Sequence, residues 1–248
     1  MTTGLLLDGR TVILTGAVGG IGRHIAGALV EQGARVGLTD ISPEALDAVA
    51  RGLPAATVAE AFDGTDADSF ASFRQRVEGE LGPVDGLVTC AGWWQPRPFD
   101  EISLEELNAI WTANTVTAFV ACQSVLPGMI GRGSGSVVNF ASTAGEYGSI
   151  SPAAHYAAAK GAVIGMTKSL AREASPHGVR VNAISPGPTD TVALGATTPE
   201  QKKIVAARML FNRLGRPEEI AGGCLYLLSD LSTFVTGTVL QVNGGSLL

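Results

Sequence analysis

Charge is sparse in this 248-residue chain, and cysteine is sparser. Only 16% of the residues are charged, the formal net charge is −6, and no lysine or arginine block occurs. The electrostatic footprint of a nucleic-acid or anionic-membrane surface is therefore missing. Cys90, Cys122 and Cys224 are an odd number at wide spacings, each among apolar neighbours. They read as buried free thiols in a reducing, cytoplasmic setting, with no metal site. No apolar run approaches the roughly 18 residues of a membrane span, and the N-terminus has no basic n-region. No Pro/Ser-rich linker and no repeat divides the chain, so residues 1–248 read as one domain. What is plentiful is hydrophobic side chain, at 46%, and glycine, with 32 residues, a composition suited to a buried sheet joined by tight turns.

Seven short β-rich runs are present: 11–15, 34–40, 56–62, 84–90, 136–140, 179–184 and 238–242. Most are nearly continuous in apolar residues, as strands buried on both faces of a parallel sheet are. Helical spacing of three and four fills 20–31, 43–52, 66–80, 103–130, 153–175 and 217–229. This alternation predicts an α/β, doubly wound, Rossmann-type fold with a seven-stranded parallel sheet. After the sixth strand the rhythm breaks, and about 188–213 is where a substrate lid is expected.

The first strand runs into Gly16, Gly20, Ile21 and Gly22 and then a helix. Glycines there let backbone N–H groups and the helix dipole meet a pyrophosphate with no Cβ in the way. The second strand ends at Asp40, 18 residues beyond Gly22, the place of the group that meets an adenosine ribose. A carboxylate accepts from both ribose hydroxyls and repels a 2′-phosphate, which favours NAD over NADP. Farther on, Tyr156 and Lys160 stand at i and i+4, on one helix face. A neighbouring ammonium is expected to lower the phenol pKa and make it a usable proton shuttle. Ser142 follows the fifth strand, at the sheet edge where ligands of such folds bind.

TGAVGGIG, CAG at 90–92, Asn114, Ser142, YAAAK and PGPTDT occur in that order, and together the chain resembles the short-chain dehydrogenase/reductase family over nearly its whole length. The resemblance implies Tyr156 as general acid/base during hydride transfer and Ser142 as hydrogen-bond partner of the same substrate oxygen. Lys160 would bind the nicotinamide ribose, and Asn114 would hold a water linking Lys160 to solvent. Gly16, Gly20, Ile21 and Asp40 would line the adenosine and pyrophosphate, with Asp63 and Gly64 beside the adenine. Ala91 and Gly92 would approach the adenosine ribose, and Pro186, Gly187, Thr189 and Thr191 the nicotinamide end. Cys90, Ala141 and Asn243 depart from the family's usual residues, and Cys90 removes a polar group that braces the sheet beneath the cofactor. Trp93, Trp94 and Tyr147 suggest an apolar wall for a hydrophobic or cyclic secondary alcohol and its ketone. A 3-oxoacyl thioester reductase is the alternative within the family, although such enzymes usually take NADPH. A non-catalytic NAD-binding regulator is the alternative outside it. The family also implies a homotetramer built on the helices near 103–130 and 153–175.

Overall fold

The computed structural model describes residues 4–53, 57–191 and 198–246. Strands β1 (Thr11–Thr15), β2 (Arg35–Asp40), β3 (Thr57–Ala61), β4 (Val84–Thr89), β5 (Gly135–Phe140), β6 (Val179–Pro186) and β7 (Val239–Val242) form one sheet. Their order is β3-β2-β1-β4-β5-β6-β7, and every pairing is parallel. The order reverses between β1 and β4, which opens a crevice at the strands' C-terminal ends.

Alternate side chains feed two apolar layers. On one face Leu14, Val36, Leu38, Val88, Val138 and Ile184 pack with Ile25 and Leu29 of α1 (Gly22–Glu31) and Ile220 and Leu227 of α9 (Pro217–Leu228). On the other, Ile13, Leu87, Val137 and Val181 meet α3 (Ala67–Leu81), α5 (Thr117–Arg132) and α7 (Ala154–Ala174) through Phe70, Phe73, Val125, Met129 and Ala171. Burial of each large side chain stabilises the fold by about 1.5–3 kcal/mol. Helix α2 (Pro43–Arg51) has Ser42 at its N-cap position and Pro43 in its first turn.

Two features differ from the sequence reading. The stretch read as one helix over 103–130 is α4 (Leu104–Trp111), a π turn (Thr112–Val116) and α5. Together they are long and apolar enough to cross a membrane by composition, but Val120, Ala121, Val125 and Met129 are buried in the core, so this is a helix of the fold. A five-residue helix, α6 (Thr143–Tyr147), follows Ser142. In the expected lid, residues 192–197 lie outside the described residues. Those that are described include a parallel bridge between Thr189 and Gly215 and α8 (Pro199–Ala206), capped by Thr198. Lys202 of α8 pairs with Asp190 at 2.7 Å.

Candidate active site

A cleft of about 490 Å³ opens along the C-terminal edge of the sheet. Gly19, Gly20, Ile21 and Gly22 line one end, and Ser142, Tyr156, Lys160, Trp93 and Trp94 line the other. Pro186, Gly187, Thr189 and Thr191 enter from the loop after β6, and Val205 from α8. A larger opening, about 700 Å³, lies at the opposite sheet edge beside Arg10 and Arg180. Arg180 spends its donors there on the Leu227 carbonyl at 2.7 Å, Ser232 Oγ at 2.8 Å and the Ser229 carbonyl at 3.2 Å. That arrangement caps the end of α9.

The glycine turn is required by close approach. A Cβ on Gly22 would lie 2.0 Å from the Gly16 carbonyl oxygen, and one on Gly16, whose φ is +70°, would lie 2.6 Å from Ala91 backbone. Only glycine lets β1 turn this sharply beside β4. The Asp40 carboxylate accepts from Val18 N at 3.1 Å and Ile41 N at 2.8 Å, which ties the end of β2 to the glycine turn. Arg23 directs its guanidinium to the carbonyls of Val18 and Gly19. Gly16, Asp40, Asp63, Gly64 and Ala91 lie outside the cleft lining. Exposed Asp63 accepts from Thr65 N and Oγ1 at 2.9 and 2.8 Å.

Ser142 takes its position from two elements at once. Its Oγ accepts from Ala144 N at 3.2 Å as the N-cap of α6, which leaves its own proton free to donate. Helix α6 seats directly on α7, because a Cβ on Gly145 would fall 2.6 Å from the Lys160 carbonyl carbon and 2.7 Å from Gly161 N. Lys160, 5% exposed, donates to the Phe140 carbonyl at 2.8 Å, with its Nζ 5.8 Å from the Tyr156 ring centre. Burial pushes its ammonium pKa down to about 8.

The expected lowering of the Tyr156 pKa is not found. Burial raises the phenol above its ordinary value, the hydrogen bond with Ser142 acts the other way, and the thiol of Cys90 adds a smaller rise. Burial outweighs the Ser142 hydrogen bond, while the Lys160 ammonium donates to the β5 carbonyl. Burial likewise pushes the Cys90 thiol up to about 12, so it is an inert group lining the cleft.

Asn114 projects from the π turn. Its Nδ2 donates to the carbonyls of Trp93 at 2.8 Å and Ile110 at 3.0 Å, while Oδ1, buried, has no partner among the described residues. Gly92, with φ +147°, makes room, since a Cβ there would sit 2.3 Å from that oxygen. The bracing that Cys90 cannot supply comes from Thr15 Oγ1, which accepts from Ala91 N at 3.2 Å, and from Asn114. The Trp94 ring stands 6.5 Å from that of Tyr156. Tyr147 does not share this wall: its hydroxyl accepts from Gln241 Nε2 at 2.7 Å, and it lies outside the lining. Ile150, Ser149 and Ser151 do line the cleft, and no sequence signal marked them. Taken together, the glycine backbone, the uncommitted Asn114 oxygen and the Asp40 carboxylate fit a nicotinamide dinucleotide.

Comparison with known proteins identifies the family. The family described as enoyl-(acyl carrier protein) reductase matches residues 16–246. A 3-oxoacyl-[acyl-carrier-protein] reductase of Thermotoga maritima is 35% identical over 242 residues, which cover 96% of this chain and 98% of that protein. A cis-4-hydroxycyclohexanecarboxylate dehydrogenase of Sinomonas cyclohexanicum is 35% identical over 240 residues, covering 95% and 96%. A crystal structure from Brucella melitensis, described as a short-chain dehydrogenase/reductase of the glucose/ribitol dehydrogenase type, superposes with a TM-score of 0.92 at 35% identity. It covers 99% of this chain and 100% of that one. The chain belongs to the short-chain dehydrogenase/reductase family of oxidoreductases.

Proposed function

We propose that the protein is an NAD(H)-linked oxidoreductase that interconverts a 3-oxoacyl thioester and its 3-hydroxyacyl form. The observation that carries the chemistry is the meeting of Ser142, Tyr156 and Lys160 on one wall of the cleft, with glycine backbone at its other end. The name of the Thermotoga relative supports the thioester. Asp40 supports NAD: a carboxylate ends β2, exposed Ile41 follows it, and the nearby Arg23 guanidinium is engaged with loop carbonyls.

A bound nicotinamide dinucleotide supplies or accepts the hydride. Tyr156 exchanges a proton between its hydroxyl and the substrate oxygen, the phenol being the form that donates in the reducing direction. Ser142, its lone pair held by the Ala144 N–H, donates to the same oxygen and stabilises charge developing there. Lys160 Nζ lies 5.8 Å from the centre of the phenol ring, and the Trp94 ring stands 6.5 Å away on the cleft lining.

A second reading, a cyclic secondary alcohol, is favoured by the Trp93 and Trp94 wall and by the Sinomonas relative. The two separate in one assay. With NADH, kcat/KM for acetoacetyl-CoA should exceed that for 4-oxocyclohexanecarboxylate by about tenfold or more, a 1.4 kcal/mol preference; the opposite order selects the second reading. Tyr156→Phe should lower kcat by about 10²- to 10⁴-fold while leaving NADH affinity nearly unchanged. Substantial residual turnover would remove Tyr156 from the mechanism, and NADH binding with no reduction of either ketone would favour a regulator. A homotetramer in a reducing cytoplasm completes the proposal. Exposed Phe99, Leu104, Trp111 and Phe119, in and beside the 103–130 stretch, offer apolar surface for a second copy.

A further inference from the structure

Beneath the cleft lies a closed chain of polar groups that the chemistry above does not use. Thr89 Oγ1 of β4 donates to Asn139 Oδ1 at 3.0 Å, and Cys122 Sγ of α5 donates to the same oxygen at 3.4 Å. Asn139 Nδ2 donates to Thr167 Oγ1 of α7 at 3.0 Å, and Thr167 Oγ1 donates to the Val163 carbonyl at 2.8 Å. Asn139 and Thr167 are both fully buried. The directions are forced. Thr167 has committed its proton to Val163, so its oxygen can only accept, and the Asn139 amide must present nitrogen to α7 and oxygen to β4 and α5.

We propose that Asn139 and Thr167 are positioning residues for the proton transfer, acting by fixing α7 against β5. The inference rests on the roles just given to Ser142, Tyr156 and Lys160. Asn139 stands three residues before Ser142, where β5 leads into the site. Thr167 lies seven residues, two helical turns, after Lys160 on the same buried stripe of α7. The Asn139–Thr167 bond therefore sets both the rotation and the axial register of the helix face that carries Tyr156 and Lys160 relative to the strand that carries Ser142. The other side-chain bond from α7 to β5 is Lys160 to the Phe140 carbonyl, and Lys160 is itself a working group of the site. A brace away from the chemistry leaves Lys160 free to change partners without releasing the helix. Two apolar residues of the same shape would hold the layers together equally well. What the polar pair adds is a single allowed register.

The test is Thr167→Val, which keeps the shape and removes the hydroxyl, together with Thr167→Ser, which keeps the hydroxyl. Thr167→Val should lower kcat about tenfold or more, in line with the sensitivity of catalysis to displacements near 1 Å. NADH affinity should stay within about twofold, and Thr167→Ser should recover most of the loss. In a Ser142→Ala background the further effect of Thr167→Val should shrink to about twofold or less, because the geometry being protected is already gone. An equal loss in both backgrounds, or a folded Thr167→Val with normal kcat, overturns the proposal. If Thr167→Val does not fold, Thr89→Val, which frees one anchor of the Asn139 amide, should lower kcat about threefold with the same background dependence; no change overturns the brace. A readout that needs no substrate separates failure of the brace from failure of the proposed reaction. Ultraviolet titration of Tyr156, isolated by subtracting Tyr156→Phe protein, should move upward by about half a pH unit or more in Thr167→Val, or in Thr89→Val where that variant is used, as the Ser142 hydrogen bond loosens. An unmoved midpoint contradicts the brace even if the substrate is wrongly assigned.

Discussion

Gly145→Ala should damage both stability and catalysis, whereas Gly161→Ala, at the same helix crossing, should do neither. The new methyl at Gly145 would fall 2.6 Å from the Lys160 carbonyl carbon, 2.7 Å from Gly161 N and 2.9 Å from Lys160 Cβ. These are backbone or near-backbone atoms, so no flexible side chain can swing away, and α6 and α7 must part by close to ~1 Å to restore contact distance. Overpacking of this kind costs about 1–3 kcal/mol, which for a domain of this size lowers Tm by several degrees. Because the atoms displaced belong to Lys160 itself, kcat should fall by up to about 10²-fold. At Gly161 the nearest atom to a new Cβ is the Gly145 carbonyl oxygen at 3.5 Å, an ordinary contact. Alanine there also gains helix propensity, worth up to about 1 kcal/mol. Thermal denaturation and steady-state kinetics on the two single variants suffice. A Gly145→Ala protein with wild-type Tm and kcat, or a Gly161→Ala protein equally impaired, would refute the crossing geometry.

Two further outcomes follow from the site. Burial holds the Lys160 ammonium pKa down to about 8, below the ordinary 10.5. Between those values the unfolded chain holds a proton that the folded one has released, so this group's contribution to stability rises with pH through that window. Tyr156, shifted upward, opposes this only above about pH 10. The urea midpoint of wild type relative to Lys160→Met should therefore climb between about pH 8 and 10.5, and a flat difference would count against a buried, charge-strained lysine. Asp40→Ala should raise the ratio of kcat/KM for NADP+ over NAD+ by about tenfold or more, equivalent to 1.4 kcal/mol of relieved repulsion and lost ribose contact. An unchanged ratio would detach Asp40 from cofactor choice.

The strands were readable because a parallel sheet covered on both faces demands unbroken apolar runs, and VDGLVTC or VRVNAI can satisfy little else. The glycine turn, Asp40, Ser142, Tyr156 and Lys160 were readable because each is a residue type at a fixed offset from a strand or helix end. What escaped depends on neighbours remote in sequence. Tyr147 was expected in the substrate wall, yet its hydroxyl belongs to Gln241, 94 residues away. The direction of the Tyr156 shift depends on how much protein surrounds the phenol, and an i, i+4 spacing gives only the position of one charge. The sequence TANTV carries no local mark of a π turn. Helix α6, at five residues, is too short to show a period. Gly145 was visible as a glycine, but the backbone it must admit lies on another helix.

The π turn at Thr112–Val116 has an implication for how this chain can tolerate changes in length. A π turn holds one residue more than the α-helix around it would need. Deleting a single codon there would let α4 and α5 fuse into an ordinary helix with a regular backbone ladder, so the local structure would gain regularity from the loss. It would also rotate Asn114 out of line with Trp93 and Gly92. Deletions in this segment should therefore yield folded, expressible and inactive protein, a class of variant that a screen for solubility alone would pass.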